Sequence, residues 1–342
     1  MRDTHTGFLQ CRNIRGRTWG GYNTLAFFHW GCKHIDLVEA NPTGIEEMED
    51  LFAMHSVMDK QYKIFPCRIE NYNTQKRYDI IIAEGFLPSI YNQKEVISKL
   101  SELVAKNGII VITCSDNVCY FIETLKRLVG IAITADILEY EQKVEKLVDF
   151  FSPQLSKLRG VSRSARDWVQ DQILNPAGAN GMELSLDQAI SYFGDEFDIL
   201  GSSPQMFTDY SWYKDVWYDY KEDNKIQFKR KRLSLLQANM PEVILPEEQA
   251  DRLVKHFEQI KNLESKYEKD LNANEINLIL EEMQLMKELV HKYFDNHFID
   301  VFHESEQILK CLLYKANINM DKYPNFFSAF GRTQQYISFM KK

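Results

Sequence analysis

Two features near the start of the chain have the residue types and spacing to hold a nucleotide-like ligand. The first is the run Ile14-Arg15-Gly16-Arg17-Thr18-Trp19-Gly20-Gly21. A glycine-rich turn between a strand and a helix lets backbone approach a ligand without a Cβ in the way. Gly16, Gly20 and Gly21, with Thr18 between them, are the candidates. The second is Glu39, which closes the stretch His34-Ile35-Asp36-Leu37-Val38-Glu39. An acid about 20 residues past such a turn, at the end of a second strand, is placed to hold a ribose. An ionised carboxylate can accept from both ribose hydroxyls, which is why an acid is useful there.

The elements that must position these residues are legible as alternating patterns. Candidate strands are Phe8–Ile14, His34–Glu39, Lys63–Cys67, Tyr78–Ala83 and Gly108–Cys114. Between them, 22–30, 44–58 and 94–106 carry apolar residues at helical spacing, as with Val96, Leu100, Leu103 and Val104. Gly108 after Asn107 reads as a helix stop. Short β-branched runs alternating with helices are the sign of a parallel sheet covered by helices. Ser185 caps a further helix to Phe193, and Phe197–Leu200 reads as a sixth strand.

Taken in order, the glycine turn, Glu39, Cys67-Arg68-Ile69-Glu70 and Tyr78-Asp79-Ile80-Ile81-Ile82-Ala83-Glu84-Gly85 resemble a class I S-adenosylmethionine-dependent methyltransferase. The resemblance covers roughly Gly7 to Thr113, with Ser185 to Leu200 similar to the last helix and sixth strand of that fold. It implies an α/β, doubly wound, mostly parallel sheet with a substantial helical C-terminal insertion or subdomain. It also implies S-adenosylmethionine as cofactor. Gly16, Gly20 and Gly21 would line its methionine part and Glu39 its ribose. Ile69 would pack on adenine with Glu70 nearby, and Glu84 with Gly85 would floor the transfer site. No residue stands out as the catalytic base. His5, His34, His55 and Glu84 are conceivable, but no histidine has a visible partner in the sequence.

Composition narrows the class. A net charge of −8 argues against a general nucleic-acid binder, which would carry a basic field. Six scattered cysteines without a CxxC pair fit neither a zinc site nor a disulfide framework, so no metal is expected and a reducing cytoplasm suits them. Neither a signal-like leader nor a membrane-spanning run is visible, and the expectation is a soluble cytoplasmic protein.

Two long excess segments remain. Residues 1–200 read as the methyltransferase core, with a cap insertion at about 117–183 that is loop-rich from Ser152 to Gly181. Residues 201–332 read as a mainly helical region that caps the substrate or binds a partner, and 333–342 as a final strand returning to the sheet. Helices from Pro246 onward pair through Asn272-Ala273-Asn274, and a third covers Val301–Tyr314. Their apolar stripes suit core packing or a homodimer seam.

Arg163 and Arg166 beside Trp168 could bind a carboxylate, phosphate or sugar face, and Tyr210 and Trp212 a sugar or flat ring. The run Lys229-Arg230-Lys231-Arg232 reads as a solvated face. The leading reading is methyl transfer to a small polar, sugar-like acceptor at a hydroxyl or amine, with no nucleic acid or membrane partner. An aminopropyl transferase of the polyamine-synthase kind is a second reading. A non-catalytic nucleotide-binding scaffold is a third, and Trp19 within the glycine turn is what supports it.

Overall fold

The computed structural model describes residues 21–158, 164–175, 183–208 and 221–342, with the backbone of Phe8–Arg12. The first half runs β1 (Phe8–Arg12), α1 (Tyr22–His29), β2 (Ile35–Glu39), α2 (Pro42–Met54), β3 (Tyr62–Phe65), β4 (Tyr78–Ala83), α3 (Gln93–Leu103) and β5 (Val104–Cys114). There follow α4 (Phe121–Ile133), α5 (Tyr140–Leu155), α6 (Ala165–Trp168), α7 (Leu186–Phe193) and β6 (Phe197–Ser203). The chain finishes with α8 (Lys221–Lys231), α9 (Glu247–Asp270), α10 (Ala273–Tyr293), α11 (Asn296–Leu313), α12 (Pro324–Ser328) and β7 (Gln335–Lys341).

Two compact units result. The sheet unit comprises Met1–Ser115, Glu183–Lys225 and Gln334–Lys342. Its seven strands lie in the order β3-β2-β1-β4-β5-β7-β6. Strands β1 to β5 pair in parallel, while β7 runs antiparallel to both β5 and β6. The order steps outward from β1 to β3 and then restarts at β4 on the other side. Right-handed crossovers therefore put α1 and α2 on one face and α3 and α7 on the other. This is a doubly wound, mostly parallel α/β sheet.

Alternation decides what each face of β2 meets. Ile35 and Leu37 join Met48 and Phe52 of α2 in a core that also takes Leu25, Phe27 and Phe28 of α1. Asp36 points the other way and is fully buried. Local sequence sets several boundaries. Asn41 accepts from the Thr43 amide at 3.1 Å and starts α2, and Ser185 with Gln188 forms a capping box on α7. Gly108 serves the sheet instead of ending a helix. An added Cβ there would stand 3.0 Å from the Asp79 carbonyl, at the point where the β4–β5 register shifts.

The helical unit comprises Asp116–Met182 and Ile226–Thr333, so the first excess segment and the second from Ile226 onward fold into one body, while 201–225 belong to the sheet unit. Its centre is α4, buried from Phe121 through Gly130 on every side. The region expected to be loop-rich is largely helical among its described residues. α5 continues to Leu155 through Pro153, and Ser164 caps α6, which runs into a wide turn over Val169–Ile173. Burial of Ile173 against Gly130 of α4 holds that turn, a packing effect that turn dipeptides do not show. The basic run is also less solvated than its sequence suggests. Lys229 pairs with Glu247 at 2.8 Å and Lys231 with Glu242 at 2.7 Å, and Arg232 Nε meets both oxygens of buried Asp116 at 2.8 and 2.7 Å.

A fully encased helix carrying charges must pair them internally. Arg127 of α4 donates to Glu264 at 2.9 Å, Glu268 at 3.0 Å and the carbonyls of Ile173 and Asn175. Lys126 donates to the carbonyls of Ala329 and Phe327 and stands 3.6 Å from the Phe330 ring centroid. Burial pushes the Lys126 ammonium down to about 7 from 10.5, against the pull of Glu123, whose own carboxyl burial raises. Between about pH 7 and 10.5 the unfolded chain holds the lysine proton and the folded chain does not. Stability therefore rises with pH across that window, by at most about 1.4 kcal/mol per unit. The Glu123 contribution has the opposite sign, being complete below 4.5 and lost as pH climbs through its raised value. In urea titrations from about pH 7 to pH 9, the wild-type midpoint is expected to rise relative to Lys126→Met. Parallel curves for the two proteins would refute the assignment.

Candidate cofactor site

Strand register brings the acids read from sequence to one edge. Arg12, the last residue of β1, pairs with Glu39, the last of β2. Cys11 pairs with Ala83, so Glu84 follows at the level of Arg12. Glu39 and Glu84 thus stand at the carboxyl ends of strands flanking β1. The β1–β4 gap is where the strand order reverses, and the crevice outside such a point is where open α/β sheets bind ligands.

Each group at that edge has a positioning partner. Glu39 is 1% exposed, and its Oε1 accepts from the Asn41 amide at 2.7 Å, which fixes the carboxylate at the head of α2. Gly21, with φ +83°, is the N-cap of α1. Two residues on, Asn23 Nδ2 donates to Glu84 Oε1 at 2.8 Å. The same oxygen accepts from the Tyr336 hydroxyl, also at 2.8 Å. Tyr336 lies on β7 opposite Thr113 of β5, and Gln334 Nε2 donates to its oxygen at 2.9 Å. Gly85, at φ +80°, donates its amide to Thr113 Oγ1 at 2.7 Å, and a Cβ added there would meet nothing among the described residues within 4 Å.

After β3, Ile69 is buried in a short turn. Glu70 beside it accepts from Asn92 Nδ2 at 3.1 Å through Oε1. Its Oε2 is buried and has no partner among the described residues.

Gly16, Thr18 and Gly20 lie outside the described residues, as do Arg163, Tyr210, Trp212 and His5. Arg166 and Trp168 belong to the helical unit. Arg166 is ion-paired with Glu141, and the Trp168 ring packs edge-on against Phe151 at 5.2 Å and Phe330 at 6.2 Å. His55 follows the last residue of α2. His34 precedes β2, at the amino edge of the strand that ends in Glu39, and a five-residue strand separates the two ends by about 15 Å.

That amino edge holds a cluster which sequence reading did not find. Buried Asp36 accepts from Lys76 Nζ at 2.6 Å and Tyr78 at 2.6 Å, and meets His34 Nε2 at 3.0 Å. Burial opposes the charge of Asp36, yet the bonds from Lys76, Tyr78 and His34 outweigh it and hold the carboxyl below its ordinary value. Burial, with the bonds to Asp36 and Tyr72, raises the Tyr78 phenol far above the usual range. The available signal was an aspartate inside an apolar strand, which must find donors from elsewhere. Asn23 and Tyr336 were also missed, and nothing in their local sequence marks them.

No family model and no curated protein sequence matches the chain. Several solved structures are similar to it. PKMT2 from Rickettsia typhi, in complex with AdoHcy, is 14% identical with a TM-score of 0.41, over 65% of this chain and 43% of that one. The N-methyltransferase NodS from Bradyrhizobium japonicum, in complex with S-adenosyl-L-homocysteine, is 15% identical with a TM-score of 0.28, over 33% of this chain and 54% of that one. An S-adenosylmethionine-dependent methyltransferase from Clostridium acetobutylicum is 15% identical with a TM-score of 0.29, over 34% of this chain and 46% of that one. The chain spans 54%, 37% and 44% of the first three structures it matches. Among the described residues, no helix is long and apolar enough to cross a membrane. The sheet unit has the α/β fold of the class I methyltransferase type.

Proposed function

We propose that this chain is an S-adenosylmethionine-dependent methyltransferase, with the cofactor held at the carboxyl edge of the sheet unit. The acceptor is a small polar molecule methylated at a hydroxyl or amine. The observation that carries the reading is the placement of Glu39 and Glu84 at one sheet edge, on strands flanking β1 at the switch point.

The groups present fit such a ligand. Glu39 supplies the anion for a ribose diol, and Ile69 an apolar surface for a flat base. Glu70 keeps a buried carboxylate oxygen with no partner among the described residues, an acceptor for an exocyclic amine. Among the described residues, the space over Gly85 is open and would admit a reacting centre beside the sheet. When bound, the cofactor supplies a methyl group on positive sulfur, activated for in-line displacement. The protein contributes alignment: short bonds from Asn41, Asn23 and Tyr336 fix two carboxylates before any ligand arrives, so little ordering remains to be done on binding. The acidic balance of the chain supports a small-molecule acceptor over nucleic acid.

Calorimetric titration of the intact chain with S-adenosylhomocysteine and S-adenosylmethionine tests the reading. The expected result is one site with a Kd of roughly micromolar order. Absence of heat with both ligands, at concentrations well above that range, would reject a cofactor site and leave the scaffold reading.

A further inference from the structure

The loops at the amino edge of the sheet unit carry a charge pattern unlike that of the whole chain. They are 30–34 before β2, 55–61 before β3, 71–77 before β4 and 104–107 at the start of β5. Lys33, Lys60, Arg77 and Lys106 are exposed there, and none of the four makes an ion pair among the described residues. Arg77 donates only to the carbonyls of Gln75 and Lys76 in its own loop. With Lys76 these loops hold five cations against one acid, Asp59, in a chain whose net charge is −8. Large apolar side chains stand among the cations. Trp30 is 75% exposed, and Met58 and Met54, the last residue of α2, are exposed as well.

Strand order sets these loops side by side. From β3 to β5 there are four interstrand spacings, a width of about 19 Å. The buried Asp36 cluster fastens three of the loops together. His34 meets the Lys60 carbonyl through Nδ1 at 3.0 Å and Asp36 through Nε2, and Lys76 reaches the same carboxylate at 2.6 Å. We propose that this edge docks the chain on a membrane surface rich in anionic lipid. A row of unpaired cations matches a plane of negative headgroups, and an exposed tryptophan suits the boundary between headgroup and acyl chain. Two of the three exposed apolar side chains are methionines, which offer no ring for a base to stack on, and this favours lipid over nucleic acid. The carboxyl edge, with Glu39 and Glu84, is at the other end of the strands and stays in solvent. Composition pointed to no membrane partner because net charge averages over a surface that is not uniform. Docking of this kind does not depend on the methyltransferase reading.

The intact chain is sedimented with vesicles of phosphatidylcholine alone and of phosphatidylcholine with phosphatidylserine at roughly 3:1. Binding is expected to the mixed vesicles only, with release as salt is raised. The triple variant Lys33→Glu, Lys60→Glu, Arg77→Glu is expected to bind at least about 100-fold more weakly. It leaves the Lys60 carbonyl in place for His34. Trp30→Ala is expected to weaken binding about 10-fold, and it alone reads the prediction should the triple variant fail to fold. A second triple variant, Lys255→Glu, Lys310→Glu, Lys322→Glu, makes the same change in net charge on exposed residues of the helical unit. It is expected to bind within about twofold of wild type. No binding of wild type to the mixed vesicles, equal losses for the two triple variants, or wild-type affinity in both the first triple variant and Trp30→Ala would overturn the assignment. Capture of a single-stranded RNA oligonucleotide through the same residues, without vesicle binding, would give the edge to nucleic acid and overturn it too.

Discussion

Glu39→Ala is expected to weaken binding of S-adenosylhomocysteine by on the order of 100-fold, the loss of two hydrogen bonds between a carboxylate and ribose hydroxyls. Part of the effect is indirect. The Asn41 amide would lose its acceptor 2.7 Å away at the head of α2, a destabilisation of about 1 kcal/mol. Glu39→Gln separates the two contributions. It keeps an oxygen for Asn41 and removes only the charge, so its binding loss is expected near 10-fold with an unchanged melting temperature. Calorimetry of both variants, with thermal melts alongside, reads the two numbers. If Glu39→Ala bound the ligand as tightly as wild type, the strand-end acid would have no part in recognition and the site would need another anchor.

The second large effect concerns the helical unit. Gly331→Ala is expected to cost about 4 kcal/mol or more, or to prevent accumulation of folded protein. A Cβ at that position would stand 1.7 Å from the carbonyl oxygen of Cys119 and 2.8 Å from its carbon. The obstacle is backbone, so no change of rotamer relieves it. The Gly331 amide also donates to Glu123 Oε1 at 2.8 Å, and any backward shift of the loop would pull away a donor from a buried carboxylate. Gly201→Ala is the control, because a Cβ there meets nothing within 4 Å among the described residues. Urea unfolding should show a collapsed or missing transition for Gly331→Ala and a nearly unchanged one for Gly201→Ala. Equal midpoints would show that α4 and the 331 loop are not packed so closely.

Much of the sheet unit was legible because its signals are local. The β-branched run Ile80-Ile81-Ile82 between polar flanks reads as a strand wherever it sits, and Ser185 with Gln188 caps a helix by contacts three residues apart. The closing segment, apolar on both faces, reads as a buried strand, and β7 is indeed flanked by β5 and β6. The same local logic missed the helical turns among the described residues of Ser152–Gly181, at the end of α5 and over 165–173. Its turn-like dipeptides are real, but Val169 and Ile173 gain more from burial against α4 than the local preference costs. It also misread Arg232 as part of a solvated run, because Asp116, its buried partner, is 116 residues away.

For the candidate site the division is similar. A glycine turn and a strand-end acid at their spacing can be read from covalent order, and so can Glu84 after the fourth strand. The grip on Glu84 cannot. Asn23 is 61 residues from it and Tyr336 is 252.

What the sequence determined alone is therefore the alternation of strands and helices, the acid that ends β2 and the one that follows β4, and the presence of two long excess segments. These follow from periodicities of two and 3.6 residues and from caps within one turn. Only the tertiary structure decided that the first segment and the second from Ile226 build one helical body, and that β7 returns to bring Tyr336 to Glu84. The physical reason is that hydrogen-bond partners across a sheet edge are chosen by strand order and register, and no residue carries a mark of its eventual neighbour in the strand order.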